Sequence, residues 1–337
     1  MHIGWRAAAN LCAQAALCAA PPLRVLPVDV LRIADAFAAF CEVQVWFVAR
    51  EAPGRCSSRA PRRLPEWRRA QGRLVRAFGR KGDGPGQFHD GRLSVAVGQR
   101  GDVFVADSVL WACRVQVFRP DGTFVRAWGS FGSGPGQLHC PCGICVSAAG
   151  EVFVAEAGNH RVQVFSAEGA FVRAFGSEGA APGQLSHPLG VALSAAGELF
   201  VADMSNHRVS VFRASDGAFL RSFSGSLRYP DGVAVSAAGE VFVSQGQSVH
   251  VFRGNDGVFL RALPVSLCAI YGMTLTAAGD LLVTVGTSER AECRLLRAGD
   301  GGLLHSFVVP RHTMVAVGAA GEVIIGAGGD SRVQIFE

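Results

Sequence analysis

Val-Phe-Val-Ala-Asp at 103–107 returns as Val-Phe-Val-Ala-Glu at 152–156 and as Leu-Phe-Val-Ala-Asp at 199–203; weaker copies start at Val241, Leu281 and Val323. Successive copies lie 40 to 49 residues apart. A repeat of that length, rich in short strands, predicts a β-propeller, because a single sheet of this size cannot bury its apolar face without neighbours. The architecture is therefore strongly constrained and the activity is not, since propellers host binders and enzymes alike.

Each repeat divides into four strands. The first alternates small and apolar residues, at 94–98, 143–147, 190–194, 232–236, 272–276 and 313–318, as a strand near a crowded axis requires. An Ala-Ala-Gly turn follows at 148–150, 195–197, 237–239, 277–279 and 319–321, and the Val-Phe-Val-Ala strand comes next. A variable loop leads to the third strand at 114–118, 161–165, 208–212, 248–252 and 332–336. Asp-Gly or Glu-Gly then turns the chain into a fourth strand at 124–128, 171–175, 219–223, 259–263 and 303–307.

The sixth copy stops after its third strand, at Glu337. Leu74-Val75-Arg76-Ala77-Phe78-Gly79 matches 171–176 almost position for position and precedes the first repeat. The expected fold is all-β: a six-bladed propeller of four-stranded antiparallel blades, closed by an N-terminal strand at 73–79 joining the last blade. Closure removes open sheet edges, and a monomeric propeller is expected.

The chain divides into an extension, 1–71, and the propeller, 72–337. Residues 1–79 carry 12 Arg against 5 acids, whereas 80–337 carry 20 Lys and Arg against 22 acids, a net −2. The repeats lack the overall basic field of a nucleic-acid binder, so nucleic acid is an unfavoured partner. No run of 18 apolar residues predicts a membrane span. Residues 1–28 contain no acid and 7–20 are Ala-rich, which loosely fits a targeting peptide. A short helical or disordered extension fits as well, and 53–69 reads as a Pro- and Arg-rich linker. The ten cysteines do not recur with the repeat, so reduced thiols and a cytoplasmic setting are expected.

Residues 72–337 resemble the NHL-repeat family, three repeats matching well and those from Gly232 onward being degenerate. The residues that carry the resemblance are Glu156-Ala157-Gly158-Asn159-His160-Arg161-Val162-Gln163-Val164-Phe165, continuing through Glu168-Gly169 to Gly176. The linker Gly84-Pro85-Gly86-Gln87-Phe88, echoed at 134–138 and 181–185, adds to it. Similar repeats form the partner-binding half of tripartite-motif ubiquitin ligases, RNA-binding repressors, sensor domains and a peptide-amidating lyase. The resemblance implies a non-catalytic protein-interaction scaffold or substrate-recognition module linked to ubiquitin ligase pathways. Residues 1–71 hold only Cys12, Cys18, Cys41 and Cys56, without the paired CxxC of a RING, and 26–33 faintly resembles an F-box helix. The alternatives are a metal-dependent hydrolase or lyase and an RNA-binding domain.

The loop between strands two and three shares a face with the linkers between blades, and variable loops on rigid scaffolds carry function. A protein or peptide partner is expected there, met by Trp111, Asn159, His160, Arg161, Asn206, His207, Arg208 and Arg290. Asp107, Glu156 and Asp203 end the second strand in three blades. They suit either a divalent ion or backbone N–H groups of the following loop, and their repetition favours the second use. Cys140, Cys142 and Cys145 supply three thiols where a zinc site normally takes four ligands, and are read as small buried apolar residues. His89, His139 and His187 do not fall at equivalent positions, so no cofactor or catalytic metal is expected. Arg76, Arg126, Arg173, Arg221 and Arg261 recur in the fourth strand and read as solvent-facing edge charge.

Overall fold

The computed structural model describes residues 72–109, 113–265, 269–286, 291–311, 313–318 and 320–337. The expectations for 1–71 lie outside them. Among the described residues the strands form six four-stranded antiparallel sheets and one short parallel pair, Arg80–Lys81 with Gln87–Phe88. Blade one is Arg92–Val97, Val103–Ser108, Arg114–Phe118 and Phe124–Trp128. Blade two runs from Pro141–Val146 to Phe171–Phe175, blade three from Pro188–Leu193 to Phe219–Phe223, and blade four from Val233–Val235 to Phe259–Pro264. Blade five runs from Ala269–Leu275 to Leu303–Val309 and includes Ala291–Leu296, a third strand too degenerate to read from the repeat.

Blade six is Thr313–Val317, Val323–Ala327 and Arg332–Phe336, completed by Leu74–Phe78 from the other end of the propeller sequence. Leu74 pairs with Phe336 and Phe78 with Val333. Beyond the strand, Arg73 and Glu337 exchange two backbone hydrogen bonds of 3.1 Å. The N-terminal strand therefore closes the ring as its sequence predicts.

Six apolar clusters are shared between successive blades rather than held within one. Phe104, Val115 and Val117 of blade one pack with Ile144, Val152 and Phe165 of blade two, and Leu93, Val95 and Phe118 pack with Ile324 and Val333 across the closing seam. In five of the six outer strands, all but that of blade four, the last aromatic meets the end of the next blade's third strand. Phe78–Phe118, Phe175–Phe212, Phe223–Phe252 and Phe307–Phe336 have ring centroids 4.8 to 5.2 Å apart. Truncating one such buried ring to alanine costs about 3–5 kcal/mol. At the axis the inner strands crowd together: a Cβ on Gly143 would stand 2.1 Å from the Leu189 carbonyl oxygen, so no larger residue fits there.

The fourth-strand arginines are not free edge charges. Arg126 donates to the Ala167 carbonyl, Arg221 to that of Gly254 and Arg261 to that of Ala298, each in the next blade. Arg173, Arg221 and Arg261 also grip Glu151, Glu198 and Glu240 of their own blades through paired bonds. They are struts between blades on the face opposite the variable loops. Periodicity alone cannot reveal this, because each strut ends on a backbone carbonyl.

Candidate functional site

The carboxylates that end the second strands are fully buried. Glu156 accepts from the His139 amide at 2.9 Å, Asn159 Nδ2 at 2.7 Å, Arg161 Nε at 2.6 Å and Gln163 Nε2 at 2.9 Å. Arg161 also donates to the carbonyls of Ser133, Gly134 and Gln137, and Asn159 to that of Gly132. Blade three repeats this plan. Asp203 accepts from the Ser186 amide, Asn206 and Arg208, while Arg208 reaches the Ala180, Ala181 and Gln184 carbonyls. The acids thus bind backbone of the linker that precedes their own blade, not of the following loop as the sequence suggested. Asn159, Arg161, Asn206 and Arg208 spend their polar atoms on the same stitch.

His160 and His207 sit at the corners where the loops turn. Their φ values are 53° and 55°, so the left-handed residue is the histidine and not the preceding asparagine. Each imidazole lies on the seam to the next blade. His160 Nδ1 accepts the His187 amide, and His207 Nδ1 accepts the Tyr229 amide, both at 3.1 Å. The rings meet edge to face, with centroids 4.5 Å apart for His160–His187 and 4.3 Å for His207–Tyr229. Accepting an amide requires neutral imidazole. Burial holds the His160 and His139 pKa values below the ordinary histidine range. Burial, helped by His160, pushes His187 down to about 4. At neutral pH His139, His160 and His187 are uncharged.

Blade one departs from this plan. Arg114 still donates to the Gln87 carbonyl at 2.9 Å, but its Nε stands 3.6 Å from Asp107 Oδ2. His89 Nδ1 lies 3.9 Å from the same oxygen, while His89 Nε2 is 2.9 Å from Asp83. The Asp107 carboxylate is held more loosely: the His89 amide and Arg114 stand beside it, but neither reaches an oxygen in ordinary hydrogen-bond geometry. Burial raises its pKa from 3.8 to about 6, against the opposing pull of Arg114 and His89.

The channel mouth on this face is crossed by an ion pair the sequence did not suggest. Arg92 donates to Asp231 at 2.8 Å. These residues begin blades one and four, which stand opposite each other in the ring. Phe131 and Tyr229, on linkers of the same face, are 40% and 47% exposed. Tyr229 was hidden because blade four lacks the Gly-Pro-Gly-Gln linker that aligns the others; its one signal is Tyr229-Pro230, parallel to Cys140-Pro141 and His187-Pro188. Trp111 and Arg290 lie outside the described residues.

Among the described residues no three of His, Cys, Asp and Glu converge as metal ligands. Asp107, Glu156 and Asp203 each stay within their own blade's surroundings. Cys142 is buried in the inner strand Pro141–Val146, where its carbonyl accepts from Ser94 Oγ. Burial pushes the Cys145 thiol up, and Cys145 packs against the apolar cluster shared with blade three.

The NHL repeat model matches 138–165 and 185–212, which span the Glu156 and Asp203 stitches. These two stretches are NHL repeats. No curated protein sequence matches the chain. Solved structures similar to it include the WD40 β-propeller domain of Doa1, at 15% identity and TM-score 0.54, covering 78% of this chain and 96% of that one. Streptogramin B lyase aligns at 13% identity and TM-score 0.52, over 74% of this chain and 94% of its own. A catalytically inactive virginiamycin B lyase from Staphylococcus aureus with quinupristin aligns at 14% and 0.53, over 73% and 84%. At such identities the likeness shows the propeller fold alone.

Proposed function

We propose that this NHL-repeat propeller is a non-catalytic partner-binding module whose loop face captures a protein or peptide, with Phe131 and Tyr229 as anchors and His139 and His207 supporting them. One observation carries this reading. On a face whose Arg161, Arg208, Glu156 and Asp203 are consumed by internal stitches, two large aromatics stand exposed. Each is buttressed by a ring: Phe131 by His139 at 4.9 Å and Tyr229 by His207 at 4.3 Å. Rigidly held aromatics are enriched where interfaces concentrate their binding energy, because they bury much area at little entropic cost. A role in ubiquitin-dependent turnover rests on the resemblance to ligase-associated NHL repeats alone.

The test is affinity capture with the full chain and with a Phe131→Ser, Tyr229→Asn double variant; asparagine keeps the left-handed corner available at 229. The expected result is loss of the co-purifying protein at an unchanged melting temperature. An identical set of captured proteins would contradict the reading.

A further inference from the structure

Three linkers on the loop face carry one residue at an equivalent position. Each such residue forms a short parallel bridge with an apolar residue seven places on: Lys81 with Phe88, Phe131 with Leu138 and Glu178 with Leu185. The second and third are held by the same backbone bonds. The Gly132 amide donates to the Leu138 carbonyl and the Gly179 amide to that of Leu185, both at 3.1 Å. Asn159 then pins the Gly132 carbonyl and Asn206 that of Gly179. Phe131 and Glu178 are therefore presented by equivalent, braced backbone on successive linkers. Lys81 is paired with Asp90. Glu178 is exposed, and no cation of the described residues forms an ion pair with it. The titratable rings that feel its charge are His160 and His187, which are neutral at neutral pH and supply no counter-charge. Arg161 and Arg208, on the same face, are tied to Glu156 and Asp203.

We infer that the partner of the loop face is a peptide segment carrying a Lys or Arg between its two apolar contacts, and that Glu178 selects this positive residue. The inference rests on Phe131 and Tyr229 being the anchors. Blades follow one another around the ring in chain order, so Phe131, Glu178 and Tyr229 lie on the linkers that enter blades two, three and four. A segment joining the two aromatics by the shorter way round passes the linker of Glu178. Asp231, on the last of these linkers, is already paired with Arg92. Arg228 is exposed beside Tyr229 and repels a second cation there, so the positive residue belongs opposite Glu178. An acidic segment, or a phosphate backbone, would bring like charge against Glu178 on a face whose other arginines are engaged. An exposed ion pair adds little affinity, whereas like charges held together are costly. Glu178 therefore acts mainly on which partner binds, and the aromatic pair on how tightly.

The probe is a randomised peptide library displayed on phage and selected on the full chain. Counter-selection on the Phe131→Ser, Tyr229→Asn double variant isolates peptides that need the aromatic pair. Those peptides are expected to carry Lys or Arg between two apolar residues. They should bind Glu178→Lys about tenfold more weakly than the unaltered chain, while the melting temperature of that variant stays unchanged because Glu178 is exposed. Selection on Glu178→Lys should return Asp or Glu in place of the basic residue. Peptides that need the aromatic pair yet bind Glu178→Lys unchanged, or that carry an acid at that place on the unaltered chain, would overturn the inference and leave the partner-binding reading standing. A library in which every binder tolerates the double variant would instead contradict the anchors, and the inference with them.

Discussion

Glu156 and Asp107 end the same strand in neighbouring blades, and Arg161 and Arg114 occupy equivalent places beside them. Glu156 accepts four close donors, whereas Asp107 has only loose contacts with the His89 amide and Arg114. The missing donor has a sequence counterpart: Ala112 stands where blade two has Asn159 and blade three has Asn206. The asparagine amide is one of several donors by which the tightly held Glu156 differs from the loosely held Asp107: Arg114 Nε stands off at 3.6 Å and Gln116 donates to the Gln87 carbonyl instead. An ionised buried group is tolerated when its lone pairs are filled and costly when they are not. The rise of the Asp107 pKa from 3.8 to about 6 corresponds to a cost of about 3 kcal/mol for holding the charge at neutral pH.

The largest expected effect lies in blade two. Glu156→Gln places an amide among donors and leaves the buried Arg161 without its counter-charge, which should cost about 3–5 kcal/mol in urea unfolding. A loss under 1 kcal/mol would show that the stitch contributes little. Asn206→Ala should reproduce the blade-one vacancy in blade three. It removes a donor from Asp203 and from the Gly179 carbonyl, for a loss of about 2 kcal/mol by the same measurement.

The propeller and its seam were legible in the sequence because strand alternation and turn glycines are local. The closing strand Leu74–Phe78 carries the sequence of an ordinary fourth strand. The acids were legible as positions but not in their partners. Glu156 is held by the His139 amide of the preceding linker, and no repeat alignment records a backbone donor. The seam pairs were hidden for a related reason. His160 meets His187, 27 residues on, and repeat alignment sets each residue against its own copies rather than against its neighbour across the seam. The Asn159 amide is bound to the acid, and the left-handed corner falls on His160.

Two titrations oppose each other below neutrality. The folded pKa of His187 is depressed, so its contribution is present above the unfolded value near 6.5 and is lost as pH falls towards about 4. The folded pKa of Asp107 is raised, so its contribution is full below 3.8 and is lost as pH rises through about 6. The most direct measurement of the contrast between the two blades is therefore urea unfolding of Asp107→Asn beside the unaltered protein at pH 7.5 and pH 5. The account expects the variant to be more stable by about 2–3 kcal/mol at pH 7.5, with the advantage about halved at pH 5. A variant destabilised at pH 7.5, as expected for Glu156→Gln, would show that Asp107 is a stitch like its neighbours and contradict the account.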